Sequence, residues 1–198
     1  MRIIAGKFKG ISLLGPTDKK IRPLKDMVRE SIFNLLSHSN KILFQLDNSN
    51  ILDLYSGTGS FGLECISRQA KKVIFVEKER EAIKILEKNI EKLKVKSKTK
   101  ILTSDVIDII KKQKNYIFNW LDDSKLDLIF FDPPFKDLEI NILIEQIIKN
   151  NFLNKNGIII LHRHKNTKEK LTRCIEIIDE RVYGLSKIII GKSSNFLS

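Results

Sequence analysis

The stretch Ile51-Leu-Asp-Leu-Tyr-Ser-Gly-Thr-Gly-Ser-Phe-Gly62 narrows the possible folds more than any other part of the chain. A short apolar run ends in a glycine-rich turn, and a helical pattern follows. That order predicts a strand, a tight loop and a helix N-terminus, where a nucleotide-like ligand can approach the backbone closely. Gly57, Gly59 and Gly62 also satisfy G-x-G-x-x-G, so a dinucleotide is one candidate. Asp53 argues against it, because a carboxylate four residues before the first glycine would face the pyrophosphate such loops cradle. It suits a cationic ligand instead, such as the ammonium and sulfonium of S-adenosylmethionine.

From Ile51 onward strand and helix patterns alternate, which predicts a mostly parallel sheet with helices on both faces. Strands are expected at residues 51–55, 73–77, 100–103, 126–131 and 157–161, with a closing antiparallel pair at 174–182 and 185–191 around Tyr183-Gly184. Helices are expected at about 58–69, 80–93 and 138–148, with a short polar one at 165–171. Glu77 ends the second strand twenty residues after Gly57, the distance at which an acid reaches ribose hydroxyls. A solvated charge at a strand end is the plainer alternative. Asp105 falls where the third strand turns into its helix, and it can bind an adenine amino group or simply cap the helix. Tyr116, Phe118 and Trp120 read as packing residues.

The run Leu126-Asp-Leu-Ile-Phe-Phe131 has the nearly continuous apolar character of a buried central parallel strand. It ends in Asp132-Pro133-Pro134-Phe135, where two prolines block both helix and ladder and fix an extended turn. A carboxylate, free carbonyls and an aromatic ring are thereby presented together. An exocyclic amine has two N–H donors and a flat ring behind it; Asp132 and the Pro133 carbonyl can take the donors, and Phe135 can stack on the ring. The alternative is a rigid turn without chemistry. His162 and His164 share one strand face, but no third metal ligand accompanies them. Strand-end histidines near solvent, or contacts to RNA phosphates, are the other readings, and no metal site is expected.

The net charge of +12 fits a polyanionic partner, although a chain crowded with Lys, Ile and Asn can be basic through compositional bias alone. The distribution is more informative. Residues 1–30 carry eight Lys or Arg against three acids, punctuated by Gly6, Gly10 and two Gly/Pro breaks. We read residues 1–45 as a basic RNA-binding extension, a hairpin followed by a helix N-capped by Asp26, and residues 46–198 as the catalytic domain. The alternative is a solvated hairpin covering a sheet edge. Cys65 and Cys174 form neither a disulfide framework nor a zinc motif, and Cys65 is expected in the core. With no apolar run of membrane-spanning length and no signal-peptide pattern, a cytoplasmic protein is expected.

With these residues in view, the chain resembles the RsmD family, the 16S rRNA (guanine-966-N2)-methyltransferases. The resemblance is carried by Arg2-Ile-Ile-Ala-Gly-Lys-Phe-Lys-Gly10, Arg22-Pro-Leu-Lys-Asp-Met-Val-Arg-Glu30, Leu52 through Glu64, Phe75-Val-Glu77 and Asp132-Pro-Pro-Phe135. It covers nearly the whole chain and departs from the usual pattern at Leu24-Lys25 and at His162-Arg163-His164. It implies a Rossmann-like class I methyltransferase fold with a seven-stranded sheet, probing small-subunit RNA as a monomer without metal. It further implies that S-adenosylmethionine binds Asp53, Tyr55, Ser56, Gly57, Gly59, Glu77, Lys78, Asp105 and Val106. A flipped guanine would enter the turn Asp132, Pro133, Pro134 and Phe135, and RNA would be gripped by Arg2, Lys7, Lys9, Arg22, Lys25 and Arg29. Three rival readings remain: an adenine-N6 methyltransferase, a dehydrogenase, and a non-catalytic ribosome-assembly factor.

Overall fold

The computed structural model describes residues 1–16, 24–112, 114–134, 139–168 and 170–194. Its centre is a seven-stranded sheet: β1 Asn50–Leu54, β2 Lys72–Glu77, β3 Thr99–Thr103, β4 Leu126–Phe131, β5 Leu153–His164, β6 Ile175–Tyr183 and β7 Ser186–Ser193. The order is β3-β2-β1-β4-β5-β7-β6. The first five strands in that row are parallel, and β7 and β6 close it antiparallel. Adjacent strands β1 and β4 lie on either side of the point where the chain reverses its direction of winding, and ligands of such sheets bind at the carboxyl ends there.

The period of two along each strand divides the core into two layers. Ile51, Val73, Phe75, Leu128, Phe130, Ile158 and Ile160 face one layer, and Leu52, Leu54, Ile74, Val76, Ile129, Phe131 and Ile159 the other. The first layer is covered by α1 Asp26–His38, α2 Ser60–Ser67 and α3 Arg80–Leu93. The second is covered by α4 Val106–Lys112, α5 Lys114–Trp120 and α6 Ile140–Lys149. In α3, Ala82, Leu86, Ile90 and Leu93 form the buried stripe. Phe118 packs tilted against Phe152 at 5.6 Å, and Trp120 joins the same layer. Cys65 is fully buried.

The N-terminal segment is less of an appendage than its charge suggests. Ile3, Leu13 and Leu24 are buried in the same cluster as α1 and the sheet. Phe61 stacks between Phe33 of α1 and Phe130 of β4, with centroids 5.3 and 3.9 Å away. Burying each such ring contributes about 1.5–3 kcal/mol. An antiparallel bridge joins Arg2 to Ser12, the expected hairpin in minimal form. Its backbone is stitched to the domain by buried side chains. Glu64 accepts from the Ile4 and Ala5 N–H groups at 2.8 and 2.9 Å, and Asn89 exchanges two bonds with Leu14. The chain approaches α2 so closely that a Cβ on Gly6, at φ +80°, would lie 2.0 Å from the Ser67 carbonyl oxygen.

Two local expectations need correction. Lys25, not Asp26, stands at the N-cap of α1, and no side chain caps it; Asp26 pairs with Arg29 at 3.0 Å instead. The polar helix expected at 165–171 does not form among the described residues there. β5 runs on to His164 and pairs with β7, and the chain then turns, Thr167 N–H donating to the His164 carbonyl at 2.9 Å. A single polar turn of helix has no apolar face to offset its nucleation cost.

Candidate active site

β1 ends at Leu54, and the chain then rises through a loop with positive φ at Tyr55, Gly57 and Gly59. Two carboxylates hold that loop. Asp53 accepts from the Gly62 N–H in the first turn of α2 at 2.9 Å. Glu77, at the end of β2, accepts from the N–H groups of Gly57, Lys78 and Glu79 at 2.7, 2.8 and 2.9 Å. Ser56 binds the Val76 carbonyl through both its N–H and its hydroxyl. Gly62 serves packing rather than phosphate: a Cβ there would meet the Phe75 ring at 2.3 Å. Gly59 is likewise pressed against Leu86.

Asp53 is 1% exposed. Burial pushes its carboxyl well above the usual range; the Gly62 N–H opposes that, while the charges of Asp132 and Glu77 add to it. Among the described residues no positive side chain pairs with this carboxylate, and a cationic ligand is a group that would complete it.

Beside the loop lies a cleft of about 380 Å³. Tyr55, Gly57, Val76, Glu77, Ala82, Asp105 and Val106 line one side, and Asp132, Pro133, Pro134, His162 and Ser186 the other. A small recess at its base is shared by Asp53, Ser56, Phe130 and Asp132. The structure thus brings together Asp53, Tyr55, Ser56, Gly57, Glu77, Lys78, Asp105, Val106, Asp132, Pro133 and Pro134 around one cavity system. Apolar walls with acceptors at the rim fit an adenosyl group, and the buried carboxylate fits the cationic end of S-adenosylmethionine. Phe135 lies outside the described residues.

Asp105 is already engaged within the chain. One oxygen caps the Ile107 N–H at 3.1 Å, and the other takes the Lys78 ammonium at 2.9 Å. That bond lowers the Asp105 carboxyl below its ordinary range and raises the Lys78 amine. It is the helix cap of the two readings, and each oxygen keeps a further lone pair toward the cleft.

The basic residues separate. Arg2, Lys7 and Lys9 are exposed on the N-terminal hairpin, and Lys25 is exposed at the rim of the cleft. Arg22 lies outside the described residues. Arg29 must be withdrawn from the RNA-binding set. Its side chain is 0% exposed, bonds to the Arg2 carbonyl and Asp26, and stands 3.9 Å from Glu64. Burial lowers its pKa, with Asp26 and Glu64 opposing. No phosphate can reach it.

His162, expected near solvent or against RNA phosphates, instead belongs to the D-P-P turn. It is 7% exposed, not a solvent-facing strand end, and bonds Asp132 at 2.7 Å and the Ser186 hydroxyl at 2.8 Å. Arg163, also buried, donates to the Pro134 carbonyl at 3.3 Å. The signal was available in the strand period: Asp53, Asp132 and His162 continue the alternations Ile51, Phe130 and Ile160 on one sheet face.

A family model described as conserved hypothetical protein 95 matches residues 1–192. The ribosomal RNA small subunit methyltransferase D of Buchnera aphidicola subsp. Baizongia pistaciae is 33% identical over 172 residues, covering 86% of this chain and 79% of the relative. Its Haemophilus influenzae namesake is 32% identical over 167 residues, covering 84% and 80%. Among solved structures, a putative methyltransferase, yhhF, from Escherichia coli superposes with a TM-score of 0.80 over 98% of both chains, at 24% identity. A putative methylase, HI0767, from Haemophilus influenzae does so at 0.73 over 97% of each, at 28% identity. The expected class I methyltransferase fold is therefore the one observed, and the chain belongs to the ribosomal RNA small subunit methyltransferase D family.

Proposed function

We propose that this protein transfers a methyl group from S-adenosylmethionine to the exocyclic N2 of a guanine in 16S rRNA, the G966-type reaction, acting as a monomer on the small ribosomal subunit or its assembly intermediate. The observation that carries this reading is the recess shared by Asp53 and Asp132, which joins a buried carboxylate with no cationic partner among the described residues to the D-P-P turn. The family names support methyl transfer to small-subunit rRNA.

Bound in the cleft, S-adenosylmethionine would supply an electrophilic sulfonium methyl group. The chain's own residues do the rest. Asp53 and the Gly57 loop hold the cationic end, and Glu77, three of whose roughly four lone-pair sites are taken by N–H groups, offers the one left to a ribose hydroxyl. At the turn, Asp132 and the Pro133 carbonyl accept the two N–H groups of an amine whose lone pair is delocalised into its ring. Accepting both favours a pyramidal nitrogen aimed at the methyl group, so rate comes from alignment and electrostatics. Asp132 also holds the N–H through which the proton departs. The base must leave its stack to reach this depth. Lys25 at the rim of the cleft, and exposed Arg2, Lys7 and Lys9 on the N-terminal hairpin, supply phosphate contacts.

The test offers small ribosomal subunits and naked 16S rRNA from cells lacking the protein, and DNA, to the purified protein with labelled S-adenosylmethionine. Digestion and mass spectrometry then identify the product nucleoside. N2-methylguanosine in small-subunit RNA is expected. N6-methyladenine would move the chemistry to the adenine alternative, and RNA binding without transfer would leave only an assembly factor.

A further inference from the structure

We infer that His162 is a positioning residue for methyl transfer, holding the Asp132 carboxylate in the one orientation that accepts the substrate amine; this rests on the methyl-transfer reading above. β4 and β5 are parallel neighbours in register, Phe130 beside Ile160 and Phe131 beside Leu161. Continuing that register places His162 next to Asp132, and the contact is made at 2.7 Å between Nδ1 and Oδ1. An ionised carboxylate only accepts, so Nδ1 carries the proton and donates. In the neutral ring Nε2 is then the acceptor, and the Ser186 hydroxyl, 2.8 Å away on β7, donates to it. Because a hydroxyl can donate or accept, the carboxylate sets the tautomer and Ser186 follows it.

The arrangement matters because the terminal torsion of an aspartate is soft. Asp132 stands just past the end of its strand, before two prolines that offer it no N–H donor. His162 supplies that donor from a central strand, with its ring 7% exposed. Arg163, the next residue, reaches the Pro134 carbonyl at 3.3 Å. Consecutive side chains of β5 therefore brace the turn at two points, the carboxylate and the carbonyl beyond it. With Oδ1 occupied, Oδ2, which has no partner among the described residues, is left for the amine. Loss of the brace allows the carboxylate to rotate, which costs alignment in the transferring complex while leaving the cofactor pocket intact.

The experiment compares wild type with His162→Phe, which keeps a ring but no donor, and His162→Asn, whose amide N–H can stand in for Nδ1–H. The readout is single-turnover methyl transfer to small ribosomal subunits, with the KM for S-adenosylmethionine measured alongside. His162→Phe should lose about 10- to 100-fold in rate, with KM within about threefold, and His162→Asn should recover most of the loss. Wild-type turnover by His162→Phe, or an equal loss in His162→Asn, overturns the proposal. Because a buried substitution can unfold the chain, ring-nitrogen NMR on the wild type provides a second reading. An Nδ1–H tautomer, kept in Ser186→Ala because the carboxylate sets it, is expected, and an Nε2–H tautomer in the wild type overturns it. Absence of transfer by the wild type would sink the functional reading itself, an outcome distinct from normal turnover in His162→Phe.

Discussion

Glu64 and Asp53 are both buried carboxylates in contact with α2, 0% and 1% exposed, yet their surroundings are opposite. Glu64 accepts from two backbone N–H groups and from Arg68 Nε at 2.8 Å, with Arg29 at 3.9 Å. Its charge is compensated entirely within the chain, and the bonds it makes fix the N-terminal segment to the domain. Among the described residues Asp53 accepts from a single N–H, and the charges that act on it are those of Asp132 and Glu77, both negative. One carboxylate is compensated within the fold; the other, on the reading proposed above, meets a positive charge from a ligand. Burial alone does not distinguish a structural acid from a ligand-binding one; the sign of its neighbours does.

The largest effect should come from Asp132, which belongs to the open side of that contrast. Asp132→Ala is expected to lower kcat by at least about 10³-fold, roughly 4 kcal/mol of barrier, with S-adenosylmethionine affinity within about threefold. Stopped assays paired with calorimetric titration would check both numbers; a variant with near-normal turnover removes Asp132 from the chemistry. Glu64→Ala should behave in the opposite way. Removing the acceptor of the Ile4 and Ala5 N–H groups and of Arg68, with Arg29 left to Asp26 alone among the described acids, is expected to cost about 3 kcal/mol of stability. Cofactor affinity in the folded fraction should be unchanged. Chemical denaturation would show it, and a normal midpoint would mean the N-terminal segment is held by its apolar contacts alone.

Asp53 gives a smaller effect with a sign that can be worked out. Its folded pKa lies above the ordinary 3.8, so between those two values the native state binds the extra proton. Stability of the ligand-free protein from this group is full below the unfolded pKa and is lost as pH rises through the folded one. A cationic ligand favours the ionised form, so its affinity should rise with pH over the same window, with proton release on binding. Asp53→Asn should flatten both dependences, weaken the cofactor by roughly tenfold, and leave ligand-free stability equal or higher near neutral pH. Titration calorimetry in buffers of different ionisation enthalpy measures the released proton. If wild type and variant release the same amount, Asp53 is not the group that meets the cation.

Much of this could be read from the chain, for physical reasons that also mark where reading stopped. Strands buried on both faces write themselves as apolar runs, and β4 and α3 fall at the expected residues. The glycine loop and Asp132-Pro133-Pro134 were legible because each demands a local backbone that few sequences supply. Arg29 was not, since a base in a basic segment looks solvated until Glu64, far along the chain, is known to be its partner. The burial of Ile3 and Leu13 was hidden in the same way, scattered among glycines and lysines with no period to reveal a face. His162 was half legible: period two put it on the face of Asp132, but strand order was needed to make the two adjacent.

The smallest expected effect tests whether the closed side of the molecule also carries an open surface. Arg2, Lys7 and Lys9 are exposed on a hairpin that Glu64 and Ser67 hold rigidly in place, so they can meet a phosphate backbone without paying much ordering entropy. Replacing all three with alanine should weaken RNA binding uniformly across sequences and reduce the salt slope by about 2, at roughly 0.7 per phosphate of single-stranded RNA. Arg29→Met is the matched control. It removes one positive charge from the same segment, but from a buried guanidinium, so it should lower stability and leave the salt slope of the folded protein unchanged, where an exposed contact would shift it by about 0.7. Binding measured from low to moderate salt reads both slopes directly. Equal slopes for wild type and the triple variant would mean RNA docks elsewhere, and the segment's charge would then serve only the fold. A slope change in Arg29→Met would instead show that the hairpin must be held by its ion pair to present the other three charges, joining the two halves of the comparison.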